Sequence, residues 1–277
     1  VTFDQTVLIW CLAVPAAISI AGCLVAKWSS QAFGAAIAST TWWLAVAAGL
    51  VGCMGWQWWP EDAWRRALWP LLAWAILVGG TVPWRGLESP RWVLAGLLAM
   101  ITAAIAMPGG AGWEDTLDLH RTWSALIGAS CLANAFALEH LSKTGGYRWS
   151  LLVALAALAG PMAMAAATYG SLAQWAFAMI VATFVIAAFA VFSTLESGLW
   201  AAAIPATAGG AGIAAAGRFY SYETHPMWLH AAVLFLPVMI TVIDLPLRNR
   251  NPWIRVIVSG VGSAIIAGIC IWRLLLS

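Results

Sequence analysis

The residues able to do chemistry are few, and most sit inside long apolar runs where a polar group costs several kcal/mol unless it is paired or wet. Ser130 and Asn134 are four apart and share one face of a helix. A hydroxyl and an amide so placed could hydrogen-bond a substrate; the plainer use of such an amide is a bond to a neighbouring helix. Glu139 and His140 close the same run, where solvation is a simpler expectation than a proton relay. His230 lies one turn into a later run with His225 just before it, and Asp244 ends that run with Arg248 as its expected partner. Proton coupling is therefore assigned to Glu139 and Asp244, while His230 joins Ser130 and Asn134 as a substrate-binding residue.

Glycine and proline mark a second set of positions. One run holds Pro70, Gly79, Gly80 and Pro83; another holds Pro205, Gly209, Gly210, Gly212 and Gly217. Interrupted helices at matching places in two halves of a chain are the sequence pointer to a transporter's binding site. Gly79, Gly80, Gly209 and Gly210 accordingly complete the expected substrate-binding set. Close helix packing through small residues is the alternative use of the same glycines.

Several chemistries are excluded by what is missing. No complete GxGxxG, P-loop, HExxH or GxSxG is present, and no nucleophile or metal-ligand cluster falls within a run. No catalytic residue and no metal site are expected. Four histidines could in principle bind haem, but His120 and His140 lie 20 residues, about 30 Å, apart along one helix. His225 and His230 are only five apart, so the four cannot form two parallel pairs. That leaves room for one haem or a quinone and names no cofactor. The run Trp56-Gln57-Trp58-Trp59-Pro60 resembles tryptophan-rich segments of haem-handling membrane proteins without their Trp-Asp signature.

The elements that must hold these residues follow from composition. Hydrophobic residues make up 63% of the chain and charged ones 9%, against about 25% charged in a soluble domain; no polar skin can be built from so little. The fold class expected is all-α, a polytopic integral membrane bundle in the lipid bilayer. A net charge of +2 without a basic tract gives no reason to expect nucleic acid. A helix needs about 20 apolar residues to cross the hydrocarbon, and that ruler gives ten spans. They are Val7–Ala26, Phe33–Gly55, Ala63–Val82, Trp92–Met107, Thr122–Leu141, Trp149–Tyr169, Leu172–Phe192, Gly198–Gly217, Met227–Ile243 and Ile254–Leu276. Continuous Ala/Leu-rich runs favour helices over the alternation of a β-barrel. The first run lacks a basic flank and is long for a signal-peptide core, so it reads as a mature span. Tryptophans cluster at run ends as interfacial anchors; Trp42-Trp43 lies mid-span and is not explained that way. The cysteines at 11, 23, 53, 131 and 270 show no CxxC spacing and read as small buried residues.

Lysine and arginine in the loops set the orientation. Lys27, Arg85, Arg91, Lys143, Arg148, Arg248, Arg250 and Arg255 fall on one side of a ten-span layout. Arg65, Arg66, Arg121, Arg218 and Arg273 fall on the other, diluted by acidic residues. Both termini are thus expected on the non-cytoplasmic side, in a bacterial inner (plasma) membrane.

The two halves also resemble each other. Pro90-Arg91-Trp92 is echoed by Pro226-Met227-Trp228, and the spacing from Glu61 to Pro70 by that from Glu196 to Pro205. The expected organisation is a five-helix unit over 1–142, a cytoplasmic linker over 143–148 and a second five-helix unit over 149–277. An odd number of spans per unit makes the repeat inverted, an architecture recurrent among secondary transporters. This two-times-five layout resembles the drug/metabolite transporter superfamily in layout alone. The resemblance implies a small-molecule carrier, transfers no functional residue, and differs in where the termini lie. The carrier reading expects a polar cavity lined by spans three, five, eight and nine. Two other classes fit the composition: a non-catalytic accessory subunit of a membrane complex, with membrane-protein partners or its own copies, and a haem- or quinone-binding redox subunit.

Overall fold

The computed structural model describes residues 3–58, 60, 63–106, 117–145, 152, 154–155, 157–158, 170–192, 199–220 and 226–275. Every regular element among them is helical. The first span is α1 (Phe3–Val7), a π-helical stretch Leu8–Ala13, and α2 (Val14–Lys27). Then come α3 (Gln31–Met54), α4 (Ala63–Arg66), α5 (Leu68–Ala73) and a second π-helical stretch Trp74–Gly79. The first half ends with α6 (Glu88–Ala106) and α7 (Leu117–Gly145). The second contains α8 (Gly170–Phe192), α9 (Ala203–Tyr220), α10 (Met227–Leu234), α11 (Leu236–Asp244) and α12 (Pro252–Leu275). Most of the run expected over Trp149–Tyr169 lies outside the described residues.

Among the described residues, five helices are long and apolar enough to cross a membrane: Gln5–Lys27, Phe33–Met54, Thr122–Leu141, Gly170–Phe192 and Pro252–Arg273. A sixth candidate is the pair Trp228–Leu234 and Leu236–Leu247, bent by 63° at its break. The chain is thus an all-helical protein with several membrane-spanning helices, and the bilayer is its surroundings.

Side-chain contacts fix the helix directions. Gly22 meets Thr41 and Cys11 meets Cys53, so α1–α2 and α3 are antiparallel. Ser39 donates to the Ala75 carbonyl at 2.7 Å and Trp43 to the Leu68 carbonyl at 2.8 Å, which turns the α4–α5 segment back along α3. Trp42 reaches Thr183 while Gly49 abuts Ala178, so α8 runs opposite to α3. Phe219 stacks edge-on to Trp123, joining the end of α9 to the start of α7. His230 also meets Trp123, and Leu234 meets Asn134, so α10 runs parallel to α7.

The centre of this bundle is α9. Every residue from Ala201 to Gly217 is buried, and the helix packs against α3, α5, α6, α7, α8 and α10. Its sequence of alanine, glycine and threonine explains the position, because only small side chains let neighbours close in from all sides. At the other extreme, α12 buries one stripe and exposes Ile257, Val261, Ile265 and Ile269, the surface of a helix that faces lipid along most of its length.

The interruptions differ from those expected. The chain between Ala63 and Gly79 is indeed broken, at Ala67 and again by the π-helical stretch. The helix holding Gly209, Gly210 and Gly212 is continuous from Ala203 to Tyr220. Pro205 is its third residue, and the N–H it lacks is one of the four that no helix can satisfy internally. The second broken helix is instead the next one, where α10 stops at Leu234 and Pro237 opens α11.

Glycine serves contact here more than flexibility. A Cβ on Gly79 would lie 2.2 Å from Ser39 Oγ and 2.9 Å from the Ala201 carbonyl oxygen. Gly79→Ala is expected to lose about 1–3 kcal/mol through overpacking, read as a lowered melting temperature in detergent; Gly96→Ala, with nothing within 4 Å of the new methyl, should not lower it, alanine being the better helix former.

Candidate functional site

Among the described residues, polar groups, open space and a broken helix coincide between α7, α9 and α10. Trp123, Ile127, Ser130, Asn134, Leu138 and Leu141 form the buried stripe of α7, at the three- and four-residue spacing that keeps side chains on one face. Asn134 is 2% exposed, and its Nδ2 donates to the Leu234 carbonyl at 2.5 Å. Leu234 ends α10, so the amide caps a helix end opened by the break. Asn134 Oδ1 has no hydrogen-bond partner. Ser130, fully buried, donates to the Ile127 carbonyl at 2.8 Å on its own helix.

Gly212 lies on α9, which packs against α7. It precedes Phe219 by seven residues, two turns on the same face, as Ser130 follows Trp123. Phe219 packs on Trp123 and the two helices run antiparallel, so Gly212 and Ser130 stand at one level. A Cβ at Gly212 would have no atom within 4 Å, although the residue is buried. His230, 1% exposed, lies edge-on to Trp123 with ring centroids 6.1 Å apart. Ser130, Asn134 and His230 are thus brought to neighbouring levels of one interior seam.

The expected glycine set is not. Gly79 is closed by Ser39 and Ala201, and Gly80 lies against Ala36 of α3. Gly209 points to α8 and α3, where its Cβ would be 2.4 Å from Met179 Cε and 3.3 Å from Trp42. Gly210 is buried on α9. Gly79, Gly80 and Gly209 admit neighbouring helices at the α3–α8–α9 junction. The π-helical stretch Trp74–Gly79 and α9 are packed together there, and open space remains at Gly212.

Glu139 and Asp244 are committed to ion pairs. Glu139, 3% exposed, accepts from Arg91 Nη2 at 2.6 Å and from Lys143 Nζ at 2.7 Å; the solvation expected at this helix end is replaced by two cations. Asp244 pairs with Arg255 through both oxygens, one contact being 2.7 Å to Nε. Arg255 takes the place expected of Arg248, because the short turn after Asp244 swings the first turn of α12 back over the end of α11. Both clusters sit at the same end of the bundle, given that α10–α11 runs parallel to α7.

The Lys143–Glu88 contact, 3.1 Å, is about half exposed on both sides. Lys143 is held above the ordinary lysine range by its hydrogen bond to Glu139, with burial opposing and Glu88 adding. Glu88 is held below the ordinary carboxylate range by the hydrogen bond and charge of Lys143. By linkage, the Lys143 contribution is full below the unfolded value of about 10.4 and disappears as pH rises through the folded one. The Glu88 contribution is full above about 4.3 and disappears as pH falls. Solvent screening keeps both small.

One surface pocket lies at the end of α3, lined by Gly55, Trp56, Gln57, Pro60, Arg65 and Trp69. Its volume is about 20 Å³, room for a single water and too little for a substrate. Trp56 and Trp58 are 57% and 71% exposed, as interfacial anchors are.

No protein-family model, curated protein or solved structure matches the chain.

Proposed function

We propose that the chain is a secondary carrier for a small uncharged molecule, with its site where α7 faces the break between α10 and α11. The observation that carries this reading is Asn134. It is a wholly buried amide that holds the broken helix with one end, while the other is unsatisfied, one turn from the level of open space beside Gly212. Discontinuous helices near the centre of a bundle are the recurrent substrate sites of secondary transporters. In this reading Ser130 and His230 line the approach, and Glu139 and Asp244 act as latches at one end instead of proton carriers.

The ten-span layout belongs to the same reading. It is supported by the antiparallel pairs α1–α2 with α3, α3 with α8 and α7 with α9, and by α10 running parallel to α7. Both termini then lie on the non-cytoplasmic side. An inverted repeat would rest on the sequence echoes; the broken helices fall at the third place of one half and the fourth of the other. The tight junction at Gly79 and Gly209 favours a second reading, an accessory subunit with a closed core.

The two readings separate on water. A Gly212→Cys variant, with the five native cysteines replaced by alanine, is reacted in sealed vesicles with a membrane-impermeant cationic thiosulfonate. The carrier reading expects labelling from at least one side, slowed by Asn134→Leu. No reaction from either side, with rapid reaction after detergent unfolding, would retire the carrier in favour of the accessory subunit. Asn134→Leu should also lose about 1–3 kcal/mol of stability, because the Leu234 carbonyl is left unpaired.

A further inference from the structure

We propose that Cys11 and Cys53 are a disulfide-forming pair that fastens the first helix to α3. They are 42 residues apart and no local motif links them, yet their Sγ atoms lie 3.2 Å from one another. A disulfide requires Sγ atoms about 2.05 Å apart and Cα atoms about 4.4–6.8 Å apart, so closing the bond takes a shift of about 1 Å. The backbones are already close. A Cβ on Gly49 would be 2.9 Å from the Trp10 carbonyl oxygen, and one on Gly52 would fall 2.0 Å from the Trp10 ring. Two glycines one turn apart on α3 thus let the first helix settle against it just where Cys11 follows Trp10.

The local helix geometry makes the same point. Leu8–Ala13 is wound as a π-helix, a form that is rare and concentrated where a side chain must be re-aimed. Here the extra residue per turn lies around Cys11, the one buried residue of that stretch. Cys53 is half-buried and one residue from the end of α3, whereas Cys11 is 1% exposed. One thiol is therefore open to a reagent and the other waits behind it, the arrangement of an attacking and a resolving cysteine.

The reaction is thiol–disulfide exchange with an external low-molecular-weight or protein disulfide as oxidant. Cys53 gives up its proton and attacks one sulfur of the external disulfide; that S–S bond breaks and one external thiol departs. Cys11 then gives up its proton and attacks Cys53 Sγ, the mixed disulfide breaks, and the second external thiol leaves. Two electrons and two protons pass from the pair to the oxidant. The orientation expected from the loop charges puts this end of α3 on the non-cytoplasmic side, where disulfides persist. The chemistry of the pair does not depend on the carrier reading.

The test uses the wild-type chain. Purified protein is incubated with oxidised glutathione, remaining thiols are blocked with N-ethylmaleimide, and the sample is digested without reduction for mass spectrometry. The expected result is one cross-linked peptide joining Cys11 to Cys53, with Cys23, Cys131 and Cys270 recovered as blocked single thiols. Prior reduction should return all five as blocked thiols. Recovery of Cys11 and Cys53 as separate blocked thiols after oxidation would overturn the proposal. So would a glutathione adduct on Cys53 that Cys11 never displaces. A Cys11→Ser variant should accumulate that adduct, and its absence would equally count against Cys53 as the attacking thiol.

Discussion

Arg255→Met is expected to destabilise the protein by about 3–5 kcal/mol, because it leaves Asp244 charged and buried with its bidentate partner gone. The Asp244 and Arg255 side chains are 5% and 6% exposed, so neither can turn to water without moving the end of α11 or the start of α12. The double replacement Asp244→Leu with Arg255→Met removes the charge and its counter-charge together, and should recover most of the loss. Thermal unfolding in detergent, followed by fluorescence-detected size exclusion, reads the series. If the single variant unfolds at the wild-type temperature, the pair contributes nothing and α12 is held by its apolar stripe alone. A double variant as unstable as the single one would show that the geometry of the turn, not the charge, needs Arg255.

Trp42→Ala should be comparably severe, about 3–5 kcal/mol for the loss of a large core side chain. Trp42 is fully buried at the α3–α8–α9 junction, its Nε1 donating to Thr183 Oγ1 at 2.8 Å. Removing it deletes the ring that fills the notch beside Gly209 and leaves the Thr183 hydroxyl without its donor. Trp42→Phe keeps much of the volume and isolates the hydrogen bond, worth about 0.5–1.5 kcal/mol. A melting-temperature series of Trp42→Ala, Trp42→Phe and Thr183→Val separates the two contributions. Equal stability of Trp42→Ala and wild type would mean that this junction contributes little to holding the bundle together.

Much of the scaffold could be read from the chain because apolar length is a local property. The runs beginning at Val7, Phe33, Thr122, Leu172 and Ile254 correspond to the five helices able to cross a membrane. Contacts across sequence could not be read in the same way. Trp42 and Trp43 looked unexplained until Thr183 and the Leu68 carbonyl supplied acceptors from other helices. Arg255 replaced Arg248 as the partner of Asp244 because the turn, not the sequence distance, decides which guanidinium comes back. The helix is broken near Pro237 and not at Pro205. Proline breaks a helix only where its missing N–H would have been bonded, and the register that decides this is set by where the helix begins. Cys11 and Cys53 gave no signal at all, since a contact between residues 42 apart has no spacing rule.

The burial of α9 has a consequence for how the protein is made. This helix is not among those apolar enough to cross a membrane alone, yet it is enclosed on every side in the finished bundle. Lipid offers such a segment little, and its stability comes from the packing that neighbours provide. A nascent chain must therefore keep it near the insertion machinery until α3, α7 and α8 are in the bilayer to receive it. Because α3, α7 and α8 all precede α9 in the chain, the neighbours that hold it are already made when it emerges.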